Sequence, residues 1–464
     1  MLGLLLLVPS AAIAHGVLRS SRPAAGARLT AVPTELRLVF NEAVERAVAR
    51  LTLLGPDSQA IALGALRQPG DSTTVLLADI TGPLTTPGRY TVNWQVVGRD
   101  GHPVSDRFTF VIADGAAGLV DPAALAPADT APAVAADSAS APAPSVETNV
   151  DGTAGVLSPF FVATRWLGYA ALLAMIGVIM VRYPLLSRVA GTSRGAAARL
   201  EPLSARAASV GMSAAMVMLA AAMLRLLAQG RAVGGNGTPI EPSTLGALLG
   251  STAWGWAWLV QVAAAAIAAG ALFAARRGDD RMWVIAAIAI VAVAYVQPMF
   301  GHAAAASSAP LAVFVHGTHV LGAGGWLGAL LVIVTVGLPL ALRAPEGERG
   351  PVAASLVNAF SPLALGFAAL VAATGVASTW MHAGSIAAIL DSGYGRVLLI
   401  KLGLLVLVAA IGAWNWRRVR PACTNEAGAR RLRRTAATEL AVGALVLAAT
   451  AVLVATPTPT ELLR

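Results

Sequence analysis

Six histidines, at positions 15, 102, 302, 316, 319 and 382, carry most of the metal-binding capacity of this 464-residue chain. His15 follows Ala12-Ile13-Ala14, an A-x-A cleavage pattern behind the apolar run 2–9. Cleavage after Ala14 makes His15 the first mature residue, where its α-amine and imidazole chelate one metal together. Asp100 and His102 are two apart, and in an extended segment such residues point to the same side. With His15 they offer an amine, two imidazoles and a carboxylate. That set suits a tetragonal Cu(II) site, and copper heads the divalent affinity order. The alternative reading of Asp100-Gly101-His102 is a turn, for which Asp and Gly supply the chemistry.

The other four histidines, His302, His316, His319 and His382, lie in or beside apolar segments. His316 and His319 are spaced i,i+3 and share a helix face. One such histidine is equally an interfacial polar residue. Four on one side of a membrane form a candidate ligand set for copper, zinc, iron or haem. Arg225 and Lys401 also fall in apolar segments, where burial of charge is costly; near a surface, both are expected to snorkel outward. Met212, Met216, Met218 and Met223 share one segment. Thioethers suit Cu(I), but methionine in an apolar helix more often packs.

The elements that position these groups follow from composition. Hydrophobic residues are 56% of the chain and charged residues 12%, against about a quarter charged in soluble domains. Mean hydropathy is +0.70. A fully soluble protein is excluded. Eight apolar segments, near 160–181, 207–229, 253–275, 282–299, 311–340, 356–379, 395–416 and 437–455, approach the length needed to cross a bilayer. Arginines crowd the loops after the first, third, fifth and seventh, including Arg182 to Arg206, Arg276 to Arg281, Arg343 to Arg349 and Arg417 to Arg434. The positive-inside rule then puts both ends of the domain, and all four membrane histidines, on the outer side. The net charge of +9 belongs to those loops and not to nucleic-acid binding. The single cysteine, Cys423, excludes an internal disulfide, a CxxC pair and a thiolate cluster.

Residues 1–14 read as a signal peptide. Residues 15–112 alternate with period two, as in Leu36-Arg37-Leu38-Val39-Phe40 and Tyr90-Thr91-Val92-Asn93-Trp94, and predict an all-β sandwich. Residues 113–157 are rich in Ala and Pro, lack core-forming side chains and read as a linker. Residues 158–456 form the eight-helix membrane domain, and 457–464 a short outer tail.

The run His15-Gly16-Val17-Leu18-Arg19-Ser20-Ser21-Arg22-Pro23, with Leu38-Val39-Phe40-Asn41-Glu42 and Gly98-Arg99-Asp100-Gly101-His102-Pro103-Val104-Ser105, resembles mature CopC, the periplasmic copper-binding protein. Arg165-Trp166-Leu167-Gly168-Tyr169, His319-Val320-Leu321-Gly322-Ala323-Gly324-Gly325-Trp326-Leu327-Gly328 and Tyr394-Gly395-Arg396-Val397-Leu398-Leu399-Ile400-Lys401 resemble CopD, its polytopic partner. The resemblance implies a CopC–CopD fusion: a Greek-key Cu(II) domain with His15, Asp100 and His102 as ligands and Glu42 behind them, and membrane histidines led by His319 and His302. The methionine-rich Cu(I) site of some CopC proteins is not implied, because no methionine occurs between His15 and Val111.

The expected function is capture of periplasmic Cu(II) and its import across a bacterial inner membrane. Its partners are copper ions, the bilayer and periplasmic copper donor or acceptor proteins, without nucleic acid. No phosphate-binding G-x-x-x-x-G-K-[ST] run is present, so this chain does not use ATP through such a loop. No nucleophile–base or paired-carboxylate arrangement suggests an enzyme. The alternatives are a haem- or copper-binding membrane redox protein, and copper sequestration or sensing without transport.

Overall fold

The computed structural model describes residues 18–99, 101, 103–115, 159–234, 241–301, 303–304, 308–383, 386–423, 425–456 and 458. The expected signal peptide, His15, Asp100, His102, His302 and nearly all of the expected linker lie outside them.

The N-terminal unit is a β-sandwich. Strands β1 (Leu18–Arg22), β3 (Glu35–Phe40) and β6 (Val75–Asp79) form one antiparallel sheet. Strands β2 (Arg28–Leu29), β8 (Pro103–Ile112), β7 (Gly88–Val97), β4 (Arg50–Leu54) and β5 (Ala60–Ile61) form the other, in that order. The chain passes repeatedly between the sheets, as Greek-key sandwiches do. Period-two alternation decides the faces. Leu36, Leu38 and Phe40 from one sheet meet Tyr90, Val92, Trp94, Val96 and Phe110 from the other, and all are buried. Phe40 and Trp94 meet edge to face with centroids 5.2 Å apart, a favoured aromatic geometry.

Strands β7 and β8 pair in unbroken antiparallel register from Gly88↔Ile112 to Val97↔Pro103. Gly98, Arg99 and Gly101, which follow the end of β7, therefore lie at one end of the sandwich. Gly101 has φ +86° and an N–H bond to Gly98 O at 2.9 Å.

Among the described residues, eight helices are long and apolar enough to cross a membrane: α1 (Pro159–Thr192), α2 (Leu203–Gly234), α3 (Ala253–Arg276), α4 (Met282–Phe300), α5 (Ala309–Ala341), α6 (Arg349–Ala383), α7 (Gly393–Val419) and α8 (Glu426–Leu453). Their lipid-facing sides expose Met216, Ile288, Val376 and Val406, which is what a bilayer solvates. Close packing of α5 rests on small residues. A Cβ on Gly328 would lie 1.8 Å from Leu173 O of α1, and one on Gly177 would lie 2.0 Å from Gly328 C. Such close backbone approach is the usual device of membrane helix pairs. Gly324–Gly328 also forms one wide π-type turn within α5, a feature often found at functional positions.

The arginine-rich loops gather at one end of the bundle. Arg182 bonds Asp280 at 3.0 Å and Arg199 bonds Glu348 at 2.8 Å, while Arg349 pairs with Glu426. These pairs join the loops after α1, α3, α5 and α7. Helix α2 leaves this end at Leu203 and, at 32 residues, runs about 48 Å to the end that carries the β-sandwich.

Candidate functional site

The β-sandwich is seated directly on the helix ends. An α-helix leaves its last carbonyls and first N–H groups without internal partners, and here the sandwich supplies them. Gln95 Nε2 donates to Ala232 O at 3.1 Å and Val233 O at 3.2 Å, and Arg50 Nη1 donates to Gly234 O at 3.1 Å. Arg50 and Gln95 are cross-strand neighbours on β4 and β7, so one end of two adjacent inner strands serves the last three carbonyls of α2. A cation at that terminus is also favoured by the helix dipole. At the N-terminus of α3, Ala253 N donates to Glu45 Oε1 at 3.1 Å. Burial raises the Glu45 pKa above the usual carboxylate value of 4.5, against the lowering effects of the Ala253 N–H bond and Arg99. Between these polar anchors, Val48 and Val97 of the sandwich join Ala222, Val233, Leu248, Trp254, Trp258 and Phe300 in one buried apolar cluster.

Gly101 lies within this contact. Gln229 of α2 donates its amide to Gly101 O. A Cβ on Gly101 would stand 2.3 Å from Trp254 Cδ1. Gly101 is thus required twice, by its left-handed backbone and by the indole against it. Glu42 belongs to the same corner. The following residues tie to the strand that leads into the connection, through a Val44↔Gly98 bridge and a Glu45 N–H bond to Val97 O at 2.8 Å.

Beneath Gly101 and Pro103 lies a cavity of about 30 Å³, walled by Thr164, Arg165, Tyr169, Arg225, Gln297 and Phe300 among others. That is room for a water or two, or a small ion. Arg225 is 8% exposed. It does not snorkel, because the docked sandwich covers the surface it would have reached. Its guanidinium carbon lies 4.5 Å from the Phe300 ring centroid. From Gln297 the polar lining continues inward: Gln261 Nε2 donates to Gln297 Oε1 at 2.8 Å and lies 3.5 Å from Met218 Sδ. Met218 is buried, whereas Met216 and Met223 are 57% and 40% exposed and face outward.

The second constellation joins α5 and α6. His319 Nδ1 is 3.0 Å from Thr374 Oγ1, and His316 Nε2 is 3.2 Å from Ser378 Oγ. Thr374 and Ser378 are one turn apart on α6. The i,i+3 histidines of α5 therefore face a pair of hydroxyls on α6. Such hydroxyl contacts fix ring orientation. A Cβ on Gly375 would stand 3.6 Å from His319 Cε1, in ordinary contact with the ring. Helix α4 joins the two constellations. Its Gln297 walls the cavity, and Tyr295 OH, two residues earlier, meets Thr318 Oγ1 of the histidine helix at 3.1 Å. Position 302 follows two residues after the cavity residue Phe300. Among the described residues no three His, Cys, Asp or Glu side chains converge in a metal cluster.

Spacing did not mark Gln229, Gln95, Arg50, Glu45 or Trp254, since each contact spans more than a hundred residues of sequence. The Thr374–Ser378 pair was readable from its i,i+4 period.

Three family profiles match the chain. The CopC domain covers residues 18–113, the copper resistance protein D-like N-terminal domain 156–313, and copper resistance protein D 354–453. Copper transport protein CutJ of Bacillus subtilis is 24% identical over 98% of this chain and 77% of its own length. Protein YobA of Escherichia coli K12 is 33% identical over 23% of this chain and 85% of its own length. The crystal structure of CopC from Methylosinus trichosporium OB3b covers 21% of this chain and 94% of its own, at 25% identity and a TM-score of 0.20. The molecule is a multi-pass membrane protein with a β-sandwich at one end of its helical bundle. It belongs to the CopC and CopD copper-resistance and copper-transport families, as a fusion of the two.

Proposed function

We propose that this protein captures Cu(II) with its sandwich and passes it to the helical bundle for import across the membrane. The observation that carries this reading is the contact of Gly101, the central residue of the Asp100-Gly101-His102 motif, with Gln229 and Trp254 beside a polar cavity of the membrane domain. Capture and entry are then adjacent, and no diffusion across a linker separates them. His15, Asp100 and His102 are the proposed Cu(II) ligands, with Glu42 supporting them. His302, His316, His319 and His382 are the proposed ligands in the bundle. Imidazoles that each hold copper briefly, and none as a closed site, suit conduction, which needs entry and release in balance. The sandwich end is proposed to face the periplasm, because the arginine-rich loops occupy the other end. The chain acts in this reading as a carrier and not an enzyme, with copper as cargo.

The test is copper flux into proteoliposomes holding the full-length protein, beside a His302→Ala/His319→Ala variant. Flux that the variant loses supports import through the outer-face histidines. Copper bound without flux in the wild type rejects import in favour of sequestration.

A further inference from the structure

A carboxyl group, that of Glu439 on α8, lies inside the membrane domain and has no role in the proposed import. Glu439 is 5% exposed, and Asn415 of α7 is 8% exposed. Both interrupt apolar stripes. Helical spacing puts Asn415 in line with Val408 and Val419, and Glu439 in line with Leu432 and Ala436, all of them buried in the main core of the bundle. Gly412 leaves the notch that admits the carboxyl: its Cβ would stand 3.2 Å from Glu439 Oε1. Two N–H groups reach the carboxyl, Asn415 Nδ2 at 3.2 Å from Oε2 and the Trp326 indole of α5. Neither carries charge. No cation pairs with Glu439 among the described residues. The charges of the elements packed against α8 are engaged elsewhere or turned away. Arg182 of α1 pairs with Asp280, Arg349 of α6 with Glu426, and Arg420 donates to Asn358. Arg165 of α1 lines the cavity under Gly101. Arg417, Arg418 and the α8 arginines at 430, 431, 433 and 434 are exposed. Lys401 stands fourteen residues from Asn415, about 21 Å along α7.

An ionised carboxyl in such a seam lacks the opposite charge that burial calls for. The amide beside it has the matching defect. Asn415 Oδ1 is buried with no hydrogen-bond partner among the described residues. An ionised carboxyl only accepts, and leaves that oxygen empty. A protonated carboxyl accepts from Nδ2 through one oxygen and donates to Oδ1 through the other, which satisfies both halves of the amide.

We infer that Glu439 is a proton-binding site, neutral at rest, whose proton is shared with Asn415 and exchanges with water at the arginine-rich end of the bundle. That water is near: exposed Arg434 is five residues from Glu439, about 7.5 Å along α8. Helix α5 connects the site to the histidines, since Trp326 follows His319 by two turns. In the proposed import, loss of the proton to that water leaves a carboxylate in the path and its return restores the neutral pair, so copper passage responds to pH on that side. This role rests on the proposed import; the proton site does not.

The experiment records infrared spectra of the full-length protein in lipid nanodiscs, without copper, as pH is varied. The expected result is the C=O stretch of a neutral carboxyl at neutral pH. It shifts in deuterium oxide, fades as pH is raised and is absent from Glu439→Gln. Asn415→Leu moves the same band by removing its partner, and carries the assignment if Glu439→Gln fails to fold. A spectrum that neither variant alters overturns the inference, because the buried carboxyl is then ionised. A band that Glu439→Gln removes, but that responds to neither deuterium oxide nor pH, also overturns it and leaves the pair as a sealed bond between α7 and α8. Copper flux is measured separately, in proteoliposomes over a range of lumenal pH. Flux that varies with lumenal pH in the wild type and not in Glu439→Gln supports the role in import, and equal pH dependence in both rejects that role. No flux with the band intact rejects import and leaves the proton site standing.

Discussion

Gly101 shows how much one residue decides. Its φ of +86° costs an L-residue about 1–2 kcal/mol, and its missing Cβ makes room for Trp254. Gly101→Ala is therefore expected to undock the sandwich while sparing its core. Faster proteolysis near residues 98–102, with the β-sheet circular dichroism signal kept, would show this; unchanged protection would reject the role given to Gly101. Glu45 gives the folded protein a pH dependence. Burial raises its carboxyl pKa above the unfolded value of about 4.5, so folding takes up a proton there. The stability this lends is complete below about 4.5 and is lost as pH rises through the raised folded value. The thermal unfolding midpoint should fall over this window. Glu45→Gln should flatten the profile, and a profile unchanged in that variant would remove Glu45 as its cause.

At the scale of elements, the α1–α5 crossing is set by glycine. Gly328→Ala drives a methyl into Leu173 O, whereas Gly366 on α6 has open space at its Cβ position. Gly328→Ala is expected to cost at least the about 1–3 kcal/mol typical of overpacking, and Gly366→Ala very little. Thermal unfolding of the two variants in one detergent tests this, and equal midpoints would refute it. The histidine helix makes a functional prediction. Thr374→Val and Ser378→Ala remove the hydroxyl contacts of the His319 and His316 rings. Loss of such orienting partners typically costs about 10–100-fold in metal affinity, so copper flux should fall by a similar order in the double variant. Flux at the wild-type level would mean that the hydroxyl row only packs.

For the whole molecule, the decisive arrangement is a soluble fold that completes the ends of membrane helices. Gln95 and Arg50 close the carbonyl end of α2, and Glu45 closes the N–H end of α3. A Gln95→Cys/Ala232→Cys variant in a Cys423→Ser background should cross-link rapidly with a short bifunctional reagent. A rate no faster than for a cysteine pair on the far face of the sandwich would show that the domains are not seated as described.

The sequence by itself determined the two kinds of unit and their order. Period-two alternation leaves one apolar sheet face that must be covered, as a sandwich of short strands does, and apolar runs of bilayer length are solvated by lipid. The same local patterns marked the histidines of α5 and their i,i+3 spacing, because helix periodicity is a short-range property. Family membership was legible too, in motifs such as Asp100-Gly101-His102 and the His319 to Gly328 run. Only the tertiary structure decided that the sandwich sits on the bundle, that Arg225 is enclosed and not snorkelling, that Met218 turns inward while Met216 and Met223 face out, and that His316 and His319 meet Ser378 and Thr374. Those outcomes depend on pairings such as Gln95 with Ala232 and Gln229 with Gly101. Surface complementarity across more than a hundred residues leaves no periodic trace in the chain.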